Sequence, residues 1–195
     1  MKLLQLQKRT MALAGMAMTV YLVFHMLTNL SFFSSEGFSR FYDFYNQTWV
    51  RWPLLIIVLV SLLIHVKAAV VIRIKNSQAR GQGYRKHDKL HVPAPLVSIS
   101  IALLLLFILV HIGQTLFMDT TRVRAELVHW FKSPLMVLFY LSGLLILAMH
   151  LQHSLVNVLQ TLGITSRMYK TLIISSVVLL TAGFASVPVY IWITA

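Results

Sequence analysis

"LLILAMHLQHSLVNVLQTLG", Leu144 to Gly163, begins as an unbroken apolar row and then carries two imidazoles, His150 and His153. A polar ring in hydrocarbon must find a partner, and an ionisable residue inside a span marks a functional site by default. This stretch reads as a membrane helix with chemistry in it. The rest of the chain agrees with the first half of that reading. Of the 195 residues, 58% are hydrophobic, and the mean hydropathy is +0.77. A soluble domain of this length could not hide so much apolar surface. Several runs reach the roughly 18–25 apolar residues that a ~30 Å hydrocarbon core demands. They are continuous, unlike the short alternating segments of a barrel, and a helix satisfies its own backbone in lipid. The expected fold is an all-α membrane protein, five transmembrane helices in a bundle. It forms a single membrane domain over 1–195, with spans at about 9–31, 53–75, 94–117, 134–159 and 170–192.

Punctuation supports these limits. Pro53, Pro93 with Pro95, and Pro134 stand near the starts of the second, third and fourth spans, where a missing N–H is tolerated. Gly163 suits a helix stop after the fourth, and Pro188 a kink or end in the fifth. "MKLLQLQKR" resembles the charged region of a secretory signal, but the small-residue "ALA" at 12–14 precedes the apolar run "MAMTVYLVFHMLTNL". A cleavable signal has the opposite order, so the first span is expected to be retained.

Charge sets the expected orientation. On one side of the five spans lie twelve basic residues: Lys2, Lys8, Arg9, Lys67, Arg73, Lys75, Arg80, Arg85, Lys86, Lys89, Arg167 and Lys170. Asp88 alone opposes them. The other side has Arg40, Arg51, Arg122, Arg124 and Lys132 against Glu36, Asp43, Asp119 and Glu126. Basic residues mark the cytoplasmic face, which puts the N-terminus inside and the C-terminus outside. Topology thus accounts for the net charge of +12, and no nucleic-acid partner is expected. The stretch "RIKNSQARGQGYRKHDKLH" (73–91) exceeds what orientation needs and suits an acidic soluble partner or anionic membrane lipid. A merely solvated loop explains it as well. There is no cysteine, which excludes disulfides and thiolate-held iron–sulfur clusters. No Gly-rich nucleotide fingerprint follows a strand, so flavin or nucleotide chemistry must belong to a partner.

The spans carry histidines at two depths. At 1.5 Å per residue, His25 lies about 24 Å from the cytoplasmic end of its span and His111 about 27 Å, whereas His65 lies about 12 Å in and His150 about 15 Å. Two levels with two imidazoles each, on different helices, are what two bis-histidine haems need. Small residues nearby (Gly15, Thr28, Ala68, Ala69, Gly113, Gly143, Ser154) would help admit the macrocycles. One intramembrane histidine taken alone is more often a helix–helix hydrogen-bonding residue; the coincidence across four spans favours ligation. Zinc is the weaker candidate, because the four divide into pairs and no cysteine or intramembrane carboxylate completes a site. His150 and His153 compete, since they lie only 60° apart around the helix, and depth does not choose between them.

"KRTMALAGMAMTVYLVFHMLTNL", "LLIHVKAAVVI", "ILVHIGQT" and "AMHLQHSLVNVLQTLGIT" resemble the cytochrome b membrane anchor of succinate dehydrogenases and fumarate reductases, of the five-helix, two-haem type. The resemblance covers nearly the whole chain. It implies two haem b groups, ligated by His25 with His111 and by His65 with His150, leaving His153 as a neighbour. It implies a flavoprotein subunit and an iron–sulfur subunit docked on the cytoplasmic side of a bacterial inner membrane. Electrons would pass between the clusters and a quinone (menaquinone or ubiquinone), and the chain would do no dicarboxylate chemistry of its own. Some members have a glutamate two residues before the fourth-span ligand, linked to proton movement; here the position is Ala148. Under this reading Arg9, Arg73 and Lys75 are candidate propionate partners, with ordinary cytoplasmic anchoring as the plainer role. Lys67 snorkels. Asp43 is the candidate quinone-site acid, with Tyr42, Asn46, Gln47 and Trp49 around it and His129 with Trp130 as a second outer possibility; an interfacial aromatic belt explains most of these too. His87 and His91 are read as solvated or partner-facing. Two other readings stand beside this one. One is the di-haem anchor of a different respiratory complex, which the lack of a fifth-span histidine disfavours. The other is a small transporter, which would be expected to show an intramembrane carboxylate or an inverted repeat.

Overall fold

Aromatic and apolar runs too long for any other element fold here as helices. A computed structural model describes residues 2–78, 94–161 and 166–195. Over the described residues the chain forms α1 (Lys2–Leu30), a 3-10 turn (Ser31–Phe33), α2 (Ser35–Tyr45), α3 (Thr48–Gln78), α4 (Ala94–Phe117), α5 (Val123–Phe131), α6 (Pro134–Thr161) and α7 (Arg167–Thr194), with no strand among them. Pro93, Gly163, His87, His91 and the basic stretch from residue 79 onwards lie outside the described residues.

Five segments are long and apolar enough to cross a membrane: Leu4–Phe33, Thr48–Gln78, Ile99–Phe117, Pro134–Leu159 and Met168–Thr194. The shortest, with 19 residues, extends about 28 Å, close to the hydrocarbon thickness. Their outer faces bear large apolar side chains such as Leu63 (68% exposed) and Leu179 (71%). In water that exposure would be a liability; in lipid it is the expected surface.

The sequence limits differ from the helix limits in instructive ways. α1 and α3 run past the expected apolar spans because nothing in "KLLQLQ" or "IKNSQ" breaks a helix where the hydrocarbon ends. Pro53 therefore lies inside α3, just beyond a first turn secured by Val50 N and Arg51 N on Gln47 O. Pro134 does open α6. Pro188 does not end α7, which continues to Thr194. α7 begins at a Ser166 cap whose hydroxyl accepts from Met168 N. Two short helices, α2 and α5, lie between the spans, where none is expected from the apolar runs. α2 is capped by Ser34, whose hydroxyl accepts from Gly37 N, and carries Glu36 in its first turn. Ahead of α5, Asp119 closes a turn by accepting from the Thr121 hydroxyl and amide. Those two bonds hold its carboxyl below the usual carboxylate range.

The chain divides into two compact units, Met1–His25 with Asp43–His91, and Met26–Tyr42 with Val92–Ala195. In the first unit α1 and α3 are tied at the basic end. Lys75 Nζ donates to Gln7 Oε1 at 3.2 Å, and the His65 ring reaches Met11 O. In the second, α6 packs along α7 and α4, with α5 against α6 and α7. Its core gathers where α6 starts and α7 stops: Phe32, Phe38, Phe131, Tyr140, Val187 and Ile191 are all nearly or fully buried. Arg124 fastens the edge of that core. Its Nη1 donates to Phe32 O at 2.7 Å, and its guanidinium lies 4.2 Å over the Phe32 ring and 5.8 Å from that of Phe38. Arg124→Ala is expected to destabilise the second unit by about 1–2 kcal/mol, while Arg124→Lys, which keeps charge but loses the flat fork, recovers less than half. Thermal unfolding in detergent checks the order.

Candidate functional site

A histidine that binds iron needs one ring nitrogen with its lone pair available, and the partner of the other nitrogen decides which one that is. In the first unit, His65 is half-buried on α3 with Nδ1 3.0 Å from Met11 O. A carbonyl only accepts, so Nδ1 must carry the proton, and in the neutral ring Nε2 holds the lone pair. The close approach depends on Gly15, one turn along α1 from Met11. A Cβ there would lie 3.2 Å from the His65 ring. Gly15 thus makes room for the imidazole.

His25 stands on the same helix α1, ten residues beyond Gly15, hence about 15 Å along the axis from the level of His65. Its ring is half-buried and stacks on Tyr21 at 5.5 Å and 10°. Between these two levels α1 and α3 leave an apolar cleft of about 320 Å³, walled by Ala17, Tyr21, Phe24, Leu54 and Val58, with Ser61 at its edge. Such walls suit a flat apolar group.

The second unit repeats the spacing. His111 on α4 lies level with Tyr140 on α6, its Nδ1 3.2 Å from the phenol oxygen. The phenol proton goes to Gln114 Oε1 at 2.8 Å. Gln114 Nε2 in turn donates to Met136 Sδ at 3.5 Å, which fixes the amide's orientation because a thioether only accepts. With its one proton so committed, the phenol must accept from His111, and Nε2 again keeps the lone pair. His150 is ten residues beyond Tyr140 on α6, about 15 Å further along. It is half-buried, with Nε2 3.5 Å from Ser154 Oγ. His153 is exposed, its Nε2 3.0 Å from Asn157 Nδ2. Burial therefore favours His150 as the inward ring.

Among the described residues no three or more His, Asp or Glu gather as a metal cluster. A bis-imidazole haem needs only two, one for each face. The donor set fits that group: imidazoles on apolar helices, two of them with Nδ1 on an oxygen. Space is mixed. Nothing lies within 4 Å of a Cβ placed on Gly113, but the room at Gly143 is filled by the Phe107 ring. Each pair named from the sequence, His25 with His111 and His65 with His150, draws one member from each unit.

The remaining candidates are peripheral. Arg9 and Arg73 are exposed, while Lys75 is partly covered by its bond to Gln7. Asp43 is exposed near the end of α2. Trp49 Nε1 donates to Gln47 Oε1 at 2.6 Å and packs edge-on against Phe44, and Tyr42 lies against Phe38 at 4.4 Å. His129 is exposed on α5 beside a half-buried Trp130. Tyr140 and Gln114 are the residues that sequence reasoning missed. They stand at 26 residues' separation on different helices, and only their polarity inside apolar spans could have pointed to them. No family model matches the chain, and no curated protein or solved structure matches it.

Proposed function

We propose that the chain is the di-haem cytochrome b anchor of a succinate:quinone oxidoreductase, a succinate dehydrogenase or fumarate reductase. It would lie in a bacterial inner membrane with its N-terminus cytoplasmic and its C-terminus outside. One observation carries the reading. In each unit two histidines on neighbouring helices stand at levels about 15 Å apart, and in each unit one of them has its Nδ1 proton fixed on an oxygen. His25 and His111 would hold one haem b, and His65 and His150 the other. Bound there, haem b supplies one-electron transfer that no side chain of this sequence offers.

The chain's own part is to orient and surround. Met11 O and the Tyr140 phenol hold the two Nδ1 protons, so that Nε2 would be the ligating atom. Apolar residues of α1 and α3 wall the cleft between the levels. Arg9 and Arg73, exposed at the basic end, would offer cations to propionate carboxylates. The basic face receives the iron–sulfur and flavoprotein subunits, which carry the dicarboxylate chemistry. Asp43 is the exposed acid suited to protonating a quinone on the other face. The test is a reduced-minus-oxidised spectrum of the full chain purified from cells grown with ample haem. Two b-type haems per chain are expected, and a colourless preparation would overturn the reading.

A further inference from the structure

We propose that Tyr140 is a positioning residue for His111, and that by accepting a hydrogen bond from Nδ1–H it would hold down the reduction potential of an iron bound by His111. This rests on the haem reading above and names what regulates that site. The geometry is specific. Tyr140 is 9% exposed, and its ring is held edge-on by Phe131 at 4.9 Å, Phe107 at 5.6 Å and Phe139 at 5.7 Å. The phenol thus has one place to be. Its proton is committed to Gln114 Oε1, so the oxygen turns its lone pairs to His111. Gln114 is kept in that orientation by Met136. Three residues on two helices serve the direction of a single N–H.

The consequence follows from the electronics of imidazole. A ring that donates from Nδ1 becomes a more basic ligand at Nε2. A more basic ligand favours ferric over ferrous iron, and the potential falls. His65 donates to a backbone carbonyl, which no substitution removes. His111 donates to a side chain, so its hydrogen bond is the adjustable one of the two. The phenol's own bond to Gln114 polarises its oxygen and strengthens it as an acceptor.

A redox titration of the full chain, followed optically, decides the matter. Tyr140→Phe keeps the three ring contacts and deletes the acceptor. One b-type component is expected to rise by about tenfold in its reduction equilibrium, about 59 mV for one electron, while the other stays in place. Gln114→Leu leaves the phenol but removes its acceptor, and the same component is expected to rise by less. If Tyr140→Phe binds both haems with both potentials unmoved, the inference fails and the haem reading stands. If wild-type protein binds no haem, the haem reading fails and takes the inference with it. If Tyr140→Phe loses haem outright, Gln114→Leu decides: an upward shift of one component supports the inference, and unmoved potentials overturn it.

Discussion

His65→Leu is expected to abolish one of two b-type haem components, with the reduced-minus-oxidised amplitude falling to about half, because an iron held by two imidazoles loses an axial bond when either is removed. The leucine fills the ring's space beside Gly15, so α1 and α3 stay packed and the loss reports ligation rather than collapse. Met11 O loses its second donor but keeps the helical bond from Gly15 N, so the cost is about 0.5–1.5 kcal/mol and bears on stability and not on the spectrum. His150→Ala should remove the same component, and His25→Ala or His111→Ala the other. The pairing is thereby tested separately from the presence of haem. Two readings compete at α6. If His150→Ala retains both components and His153→Ala loses one, the ligand is the exposed ring beside Asn157, and the half-buried position of His150 has misled.

The five spans were legible because the length and polarity of an apolar run are properties of composition, and lipid requires a helix of any such run. Helix ends were less legible, since the hydrocarbon boundary is not a helix boundary. α3 begins five residues before Pro53 and extends three beyond Lys75. α2 was readable but missed. Ser34 caps it, and Phe38, Phe41, Tyr42 and Tyr45 recur at helical spacing, a pattern that an interfacial aromatic belt also produces. α5, at nine residues, has too short a pattern to stand out. At the site, the two depths of the histidines followed from counting along helices, which needs no tertiary information. The partners of Nδ1 could not be counted. Met11 and Tyr140 reach His65 and His111 only through the rotation of one helix against another, and no spacing in the sequence encodes that rotation.

Gly143→Ala tests that rotation directly and is expected to lower stability by about 1–2 kcal/mol. A Cβ at this position on α6 would lie 2.4–2.5 Å from Cγ, Cδ2 and Cε2 of Phe107 on α4. The ring has little room to retreat. Phe139 lies 5.4 Å from it, Tyr140 5.6 Å, and His111 stacks along it at 6.2 Å and 17°. Overpacking of a fixed neighbour costs about 1–3 kcal/mol, and the better helix propensity of alanine returns up to about 1. Two other glycines serve as controls. Gly183→Ala meets Met26 Sδ at 2.6 Å and Cγ at 2.8 Å, but three soft torsions let a methionine give where a ring does not, so the loss should be smaller than at Gly143. Gly113→Ala meets nothing within 4 Å and keeps the propensity gain. Thermal midpoints in one detergent should therefore fall in the order Gly113→Ala, Gly183→Ala, Gly143→Ala. Because Phe107 stacks on His111, the third variant alone should also disturb the haem component assigned to His25 and His111. Equal midpoints for Gly113→Ala and Gly143→Ala would mean that α4 and α6 do not meet at Phe107, and the alignment of His111 with Tyr140 would go with it.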